Sequence, residues 1–293
     1  MWGICPALFL EKRYVFKNTT KEIDTIMDNL VIVRGGGDIA TGTIYKLYQC
    51  GFRVLILETQ NPSAIRRHVA FCEAVYQGAQ KVEDLTCTLA SSLEEAKVLL
   101  EKGKLVMLVD PKGESVPFFK PIALVDAILA KKNLGTMREM ADITIGLGPG
   151  FEAGEDVDAV IETMRGNSLG KVIYQGKAIA NTGVPGEIAG FSKERVIHSP
   201  ATGVLKSVHK IGDIVEKGEI LAYIENEKES VPVVAMMNGL LRGLIRDGYH
   251  VKQGLKIADI DPRLEEYENC FCISDKARCI AGGVVEAILH LRG

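Results

Sequence analysis

No hydrophobic run in the 293-residue chain reaches the ~18 residues that a membrane-spanning helix needs. A surplus of basic charge is also missing. Thirty-five Lys and Arg stand against 38 Asp and Glu, for a net charge of −3. That balance gives no electrostatic case for nucleic acid or an anionic membrane as partner. Nothing marks the cysteines as a disulfide framework either. The seven cysteines are an odd number, and Cys270, Cys272 and Cys279 form their only cluster. A zinc site offers two closely spaced pairs, and neither a Glu-x-x-His nor a His-x-x-x-His spacing occurs, so no protein metal site is expected. The first residues do not read as a secretory signal either, because Lys12 and Arg13 follow the apolar stretch instead of preceding it. Free thiols without an export signal point to a reducing, cytoplasmic location.

What remains is an ordinary globular composition, 47% hydrophobic and 25% charged, in a chain long enough for two domains. Met27 lies four positions before the first clear strand, so residues 1–26 are expected to be an extension. The expected organisation is a nucleotide- or cofactor-binding domain over 27–192, a small β domain over 193–263 and a helical tail over 264–293.

The front half opens as strand, glycine loop, helix, strand. Leu30–Val33 is a short β-branched run. Gly35-Gly36-Gly37-Asp38-Ile39-Ala40 follows, then apolar residues at helical spacing up to Gly51, then the apolar run Val54–Leu57 ending in Glu58. In context this is a dinucleotide fingerprint, Gly35-x-Gly37-x-x-Ala40, with an acidic residue 21 positions after Gly37. The first glycine permits the tight turn and the second lets backbone approach a phosphate. Ala40 keeps helix and strand close, and the free amides at the helix start attract the anion. Glu58 is placed to accept from a ribose diol. The alternative is a fold of this kind that keeps the turn but has changed its ligand.

Asn61–His68 follows with Arg66 and Arg67, which either clamp phosphate bidentately or form a solvated helix face. Further α/β elements are expected: a helix over Leu93–Leu100, a strand over Leu105–Val109, a helix over Ile122–Lys131 behind Pro121, and a strand over Ala141–Ile145. A helix is expected over Glu155–Arg165, and a hairpin over Val172–Ala180. A second glycine loop, Gly146-Leu147-Gly148-Pro149-Gly150, either joins the first around one ligand or only turns the chain.

The back half contains a repeat. Gly203, Gly212 and Gly218 match Gly239, Gly248 and Gly254 at an offset of 36, and Val215, Ala222 and Ile224 match Val251, Ala258 and Ile260 at the same offset. One such copy cannot bury its own apolar face. The two-copy, glycine-punctuated module resembles the biotinyl/lipoyl-attachment domain, in which a modified lysine sits on the hairpin between the halves. Lys228 falls there, but Glu227 and Glu229 flank it where biotin acceptors carry methionine. Neither biotin nor lipoate is expected on it. The fold class expected for the chain is therefore an α/β Rossmann-like domain, a small all-β barrel-sandwich and a C-terminal helix. That helix is expected over Ser274–Leu291, with Lys276 and Arg278 near its start able to join an anion site.

A resemblance also runs along most of the chain. Arg34–Gly42, Pro62–Arg67, Glu73–Tyr76, Val125–Asp126, Lys131–Thr136, Ile145–Phe151, Asp156–Gly166, Asn181–Gly183, Gly239–Gly243, Asp259–Arg263 and Ser274–Arg278 resemble the accessory family of selenium-dependent molybdenum hydroxylases. That family is related to the maturation factors of xanthine and CO dehydrogenases. The resemblance implies an accessory protein rather than a catalyst. It implies a molybdopterin-type cofactor or its dinucleotide as ligand, and a client hydroxylase and other maturation proteins as partners. It leaves room for a homo-oligomer.

The competing class is an NAD(P)-dependent oxidoreductase, which needs a proton relay beside the nicotinamide. Of the five histidines, only His68 falls near the expected cleft. The cofactor-binding candidates are thus Gly35, Gly36, Gly37, Asp38, Glu58, Arg66, Arg67, Gly146, Gly148 and Gly150. The barrel reading carries its own test: intact-mass measurement should return a chain with unmodified Lys228, and a lipoyl or biotinyl increment would make it a swinging-arm carrier.

Overall fold

The computed structural model describes residues 29–183 and 186–293. The expected extension, 1–26, lies outside them. The first domain is built on a nine-stranded mixed sheet. Its strands are β1 (Leu30–Arg34), β2 (Arg53–Glu58), β3 (Ala79–Val82), β4 (Leu85–Ala90), β5 (Leu105–Val109), β6 (Ala123–Asp126), β7 (Ile143–Leu147), β9 (Ala159–Ile161) and β10 (Val172–Ile173), in the order β10-β9-β7-β6-β1-β2-β5-β4-β3. The seven strands from β9 to β4 run parallel, and β10 and β3 close the edges antiparallel. A two-residue strand, β8 (Glu152–Ala153), pairs outside the sheet with β11 (Gly176–Lys177).

Both faces of the sheet are covered, which is why its central strands read as unbroken apolar runs. Val31 and Val33 face helix α1 (Asp38–Gln49) and the C-terminal helix α5 (Asp275–Leu291). Leu30 and Ile32 face α3 (Leu93–Glu101). Two four-residue helices, α2 (Ala74–Gln77) and α4 (Val116–Phe119), complete the domain. The sheet order reverses between β1 and β6, and that reversal opens a crevice at the carboxyl ends of the strands.

Three expected elements differ. Ile122–Lys131 is not a helix: Ala123–Asp126 is the central strand β6, buried throughout. A short apolar run between two helix-covered faces has the same pattern in either state. Glu155–Arg165 likewise holds strand β9. Its acids serve turns instead of a helix start: Asp156 accepts from Glu152 N at 2.8 Å, and Asp158 from Thr144 N at 2.8 Å. Val172–Ala180 is no hairpin, because β10 pairs with β9 and β11 with β8.

The repeat builds the second domain. Its first half supplies β12 (Val196–His198), β13 (Gly203–Ser207), β14 (Ile214–Val215) and β15 (Ile220–Glu225). Its second half supplies β16 (Ser230–Val234), β17 (Gly239–Leu244), β18 (His250–Val251) and β19 (Lys256–Asp261). The sheets are β12-β19-β17-β14 and β16-β15-β13-β18, so each contains two strands from either half. The halves interlock around one core that includes Leu205, Leu221, Leu241 and Ile257. The first repeated pair, Gly203 and Gly239, marks close approaches. A side chain on Gly203 would run into the Glu225 carbonyl, and the same contact recurs at the repeat offset of 36, where one on Gly239 would run into the Asp261 carbonyl.

The tail is shared between the two cores. Cys270, in the 3-10 turn Leu264–Cys270, belongs to the barrel core. Helix α5, capped by Ser274 accepting from Ala277 N at 3.2 Å, belongs to the sheet core. It lies beside α1 and parallel to it. The carboxyl ends of both meet near Asn29, which bonds the Gly51 carbonyl and receives Arg292. At the other end Gly42 and Ala277 touch: a Cβ on Gly42 would lie 2.7 Å from that of Ala277. Gly42→Val should therefore cost about 1–3 kcal/mol in urea unfolding through overpacking. Gly282→Ala, in the same helix pair but facing open space, should gain about 0.5–1 kcal/mol. Equal effects would mean that the helix contact is not tight.

Candidate functional site

A cavity of about 710 Å³ lies at the sheet reversal. Its floor is the glycine loop and the start of α1, and its roof is the barrel and the start of α5. The three glycines of the loop have different duties. Gly35 has φ +94°, and a side chain there would press on the Ala127 carbonyl at 3.1 Å. Gly36 is packed against Cys72 N and Met107, each 3.0 Å from where its Cβ would stand. Gly37, by contrast, has nothing within 4 Å of a Cβ. It is the N-cap of α1 with extended backbone, and no side chain caps the helix. The first amides of α1 thus keep free donors beside the open space in front of Gly37.

Glu58 reaches this loop at the end of β2. One carboxylate oxygen accepts from Gly36 N and the other from Thr59 N, both at 2.7 Å. Burial raises its pKa, and the two amide bonds oppose that rise. It lines the cavity as expected, but its first task is to hold the turn.

Arg66 lines the cavity and is 7% exposed. Its Nη2 donates to the carbonyls of Asn269 at 2.9 Å and Cys272 at 3.2 Å, and its Nη1 lies 3.5 Å from Asp38. Its buried Nε has no partner among the described residues. Arg67 points elsewhere. Its Nε donates to the Leu244 carbonyl at 2.7 Å, so it is a tie to the barrel and does not line the cavity. Its neighbours act likewise. Leu244 N donates to the Ile65 carbonyl at 2.8 Å, Arg246 pairs with buried Glu73 at 2.6 Å, and Tyr249 bonds the Asn61 carbonyl at 3.1 Å. Ile65, Arg67 and Glu73 thus tie the first domain to the barrel, while Pro62, Ser63, Ala64, Ile65 and Arg66 also line the cavity.

The second glycine loop does not reach the cavity. A Cβ on Gly146 would strike Phe151 at 2.5 Å, one on Gly148 would meet Thr163 Oγ1 at 2.5 Å, and one on Gly150 would meet Lys132 N at 2.6 Å. These glycines allow chain packing. Only Pro149 borders a neighbouring cavity of about 260 Å³, which shares Arg165, Gly186 and Lys276 with the larger one.

Four cations that the sequence reading left outside its candidate set line the main cavity: Arg165, Arg195, Arg242 and Lys256. Lys276 joins them, as the tail allowed. Arg278 does not, being paired with Glu83 at 2.6 Å. With Arg66 there are six cations against three carboxylates, Asp38, Glu58 and Asp259. The only signal available for Arg195 and Arg242 was their place in the barrel, which said nothing about which face meets the cleft. Arg195 is 5% exposed and donates to the Ile260 carbonyl at 3.1 Å. Arg242 lies 3.7 Å from Asp261, and its buried Nε is unpartnered among the described residues.

His68 stacks at 5.1 Å on Phe271. Among the described residues no histidine or tyrosine lines the cavity, while Lys256 and Lys276 do. Arg34 is buried at the end of β1. It lies 3.5 Å from Asp126, and both contact Thr136 Oγ1, at 2.5 and 2.6 Å, which joins β1 to β6 at the reversal.

Comparison with known proteins defines one part of the chain. Residues 195–260 match the family model described as biotin-requiring enzyme, so the two interlocked sheets are a biotinyl/lipoyl-like domain. Lys228 sits on the hairpin between β15 and β16, exposed, in a turn where Asn226 Oδ1 accepts from Lys228 N at 2.9 Å. A curated relative, the uncharacterized protein YqeB of Escherichia coli (strain K12), is 49% identical over 262 residues, covering 89% of this chain and 48% of the relative. The chain thus spans about half the length of that relative.

Two solved structures show remote likenesses. One is the product-bound ectoine utilization protein EutE (DoeB) from Ruegeria pomeroyi, at 13% identity and TM-score 0.23, covering 78% of this chain and 56% of that one. Another is a succinylglutamatedesuccinylase/aspartoacylase from Rhodobacter sphaeroides, at 12% and 0.27, covering 80% and 85%. Scores this low do not indicate a shared fold. Among the described residues, no helix is long and apolar enough to cross a membrane.

The buried Glu58 carboxyl leads to a pH prediction. The folded state holds this proton more tightly than the unfolded chain, so its contribution to stability falls as pH rises from the ordinary 4.5 through the raised folded value. Urea unfolding from pH 4.5 upward should show Glu58→Gln gaining on the wild type as pH rises. A constant difference would mean that burial does not govern this group.

Proposed function

We propose that the cavity binds an anionic, phosphate-bearing ligand, and that the chain serves as an accessory factor in the maturation of a molybdenum hydroxylase. The observation that carries the first part is the uncapped start of α1 at Gly37, facing open space within a cavity where cations outnumber carboxylates two to one. Free helix amides, a close-approach glycine and buried guanidinium groups are the chemistry that holds phosphate. We read the sheet reversal beside this loop as Rossmann-like, with Glu58 steadying the turn. The second part rests on the sequence resemblance, which supplies a molybdopterin-type cofactor or its dinucleotide as the ligand class. The residues present fit such a group: Gly37 and the first turn of α1 would hold its phosphate, with Arg66 behind them. When bound, the cofactor supplies the pterin dithiolene that carries molybdenum. The chain's own residues bind, orient and shield it. We propose a client hydroxylase and further maturation proteins as its partners.

The test is native mass spectrometry on protein purified anaerobically from cells that make molybdenum cofactor. A bound molybdopterin or its dinucleotide is expected. Bound NAD(P) with hydride transfer would instead establish the oxidoreductase reading. Gly37→Val should abolish the bound species while leaving the unfolding midpoint close to wild type, since a side chain there meets only the cavity. Retention of the ligand by that variant would place the site elsewhere.

A further inference from the structure

The cations of the cavity fall into two groups at the starts of two parallel helices. Arg66 and Arg242 form the first, near the opening of α1. Their charges oppose each other: Arg66 is pushed down by burial and then by Arg242, with Asp38 and Asp259 acting the other way. Each also carries a buried Nε–H without a partner among the described residues, and Arg66 is 93% buried by its 7% exposure. An unmade bond from a buried donor is costly, and two like charges in one cavity add to the cost.

Lys276 and Arg165 form the second group, at the opening of α5. Arg165 is held there by Asp275, with Nη1 at 3.0 Å and Nη2 at 3.3 Å from its two carboxylate oxygens. Lys276 is half-buried. Its pKa is lowered by burial and then by Arg165, while Asp38, Glu162 and Asp275 pull the other way. Glu162 is spent on Met164 N at 2.7 Å and Ile179 N at 2.8 Å, so its carboxylate does not close on the lysine. The contact between Gly42 and Ala277, each within two turns of its helix start, keeps the two openings side by side. Packed helices stand roughly 8–10 Å apart, so the groups are separated by about one helix width.

We propose that the cavity takes a ligand with negative charge at both ends. One anionic group sits against the start of α1 with Arg66 and Arg242, and the other against the start of α5 with Lys276 and Arg165. The biotinyl/lipoyl-like barrel is then a fixed wall of the binding site, supplying Arg242. It is fastened there through Leu244, Arg246 and Tyr249 and does not swing as an arm. This deepens the anionic-ligand reading above and rests on it. The chemical class is a phosphate ester whose far end also carries charge, whether a second phosphate or a metal-bound anionic group.

Calorimetry on the full chain, at fixed ionic strength, separates the two claims. The probes are AMP, with one anionic group, and adenosine 2′,5′-bisphosphate, with two. The bisphosphate should bind at least tenfold more tightly. Lys276→Gln should remove most of that ratio, and Arg242→Ala should weaken both probes. Thermal unfolding of each variant near the wild-type midpoint confirms that the fold is kept. Equal affinity for the two probes, both abolished by Gly37→Val, overturns the two-ended site and leaves the anionic cleft standing. A tenfold ratio untouched by Lys276→Gln also overturns it. Failure of both probes to bind overturns both readings together.

Discussion

Arg66 is buried in a loop of the first domain, yet its partners come from the far end of the chain. Its guanidinium donates to the carbonyls of Asn269 and Cys272, more than 200 residues later, and faces Asp38 at the head of α1. Taking a guanidinium out of water costs several kcal/mol, which is recovered only when acceptors are held in place around it. The loop, the helix start and the segment between barrel and α5 must therefore be assembled together. The backbone bond from Leu244 to Ile65 and the Arg67 contact with the Leu244 carbonyl fasten the barrel at the same place. The cavity is what this junction encloses, so its walls cannot be separated from the contacts that join the domains.

The charge of the molecule is arranged around that junction. The chain carries −3 overall, while the cavity lining carries six cations against three carboxylates. Two of those carboxylates are already engaged by cations, Asp38 by Arg66 and Asp259 by Arg195 at 3.4 Å. Glu58 is turned onto the backbone of the glycine loop. The positive field therefore acts on whatever enters. An average over the whole sequence conceals such segregation, because it is made by residues from Arg66 to Lys276 meeting at one sheet edge.

Much of the architecture was legible because periodicity and glycine placement are local signals. The strand–loop–helix unit from Leu30 to Glu58, helix α3, the 36-residue repeat and helix α5 follow from the pattern of apolar residues, caps and glycines. Two of the failures share a cause. Ala123–Asp126 and Ala159–Ile161 are short strands buried throughout, and a buried strand and a buried helical turn have the same composition. The site was legible to the same extent. Gly35, Gly37, Asp38 and Glu58 lie where their spacing put them, since a strand–turn–helix unit places its own turn. Arg67 and the glycines at 146, 148 and 150 do not, because direction of approach is a tertiary property. Arg67 is taken up by a carbonyl of the barrel, and the three glycines by packing against Phe151, Thr163 and Lys132.

From the residues alone came the α/β character of the first domain, the loop that presents free amides at Gly37, the two-copy build of the barrel and the acidic flanks of Lys228. These depend on contacts between near neighbours or on repetition, both written in order along the chain. The tertiary structure decided that α5 lies parallel to α1 and that the barrel closes over the crevice. It also decided that Arg165, Arg195, Arg242 and Lys256 share a cavity with a glycine loop far away in sequence. No periodicity encodes those placements. They arise from the burial of two cores against one junction, where Arg66 and Arg242 line the same cavity and each keeps one buried Nε–H without a partner among the described residues.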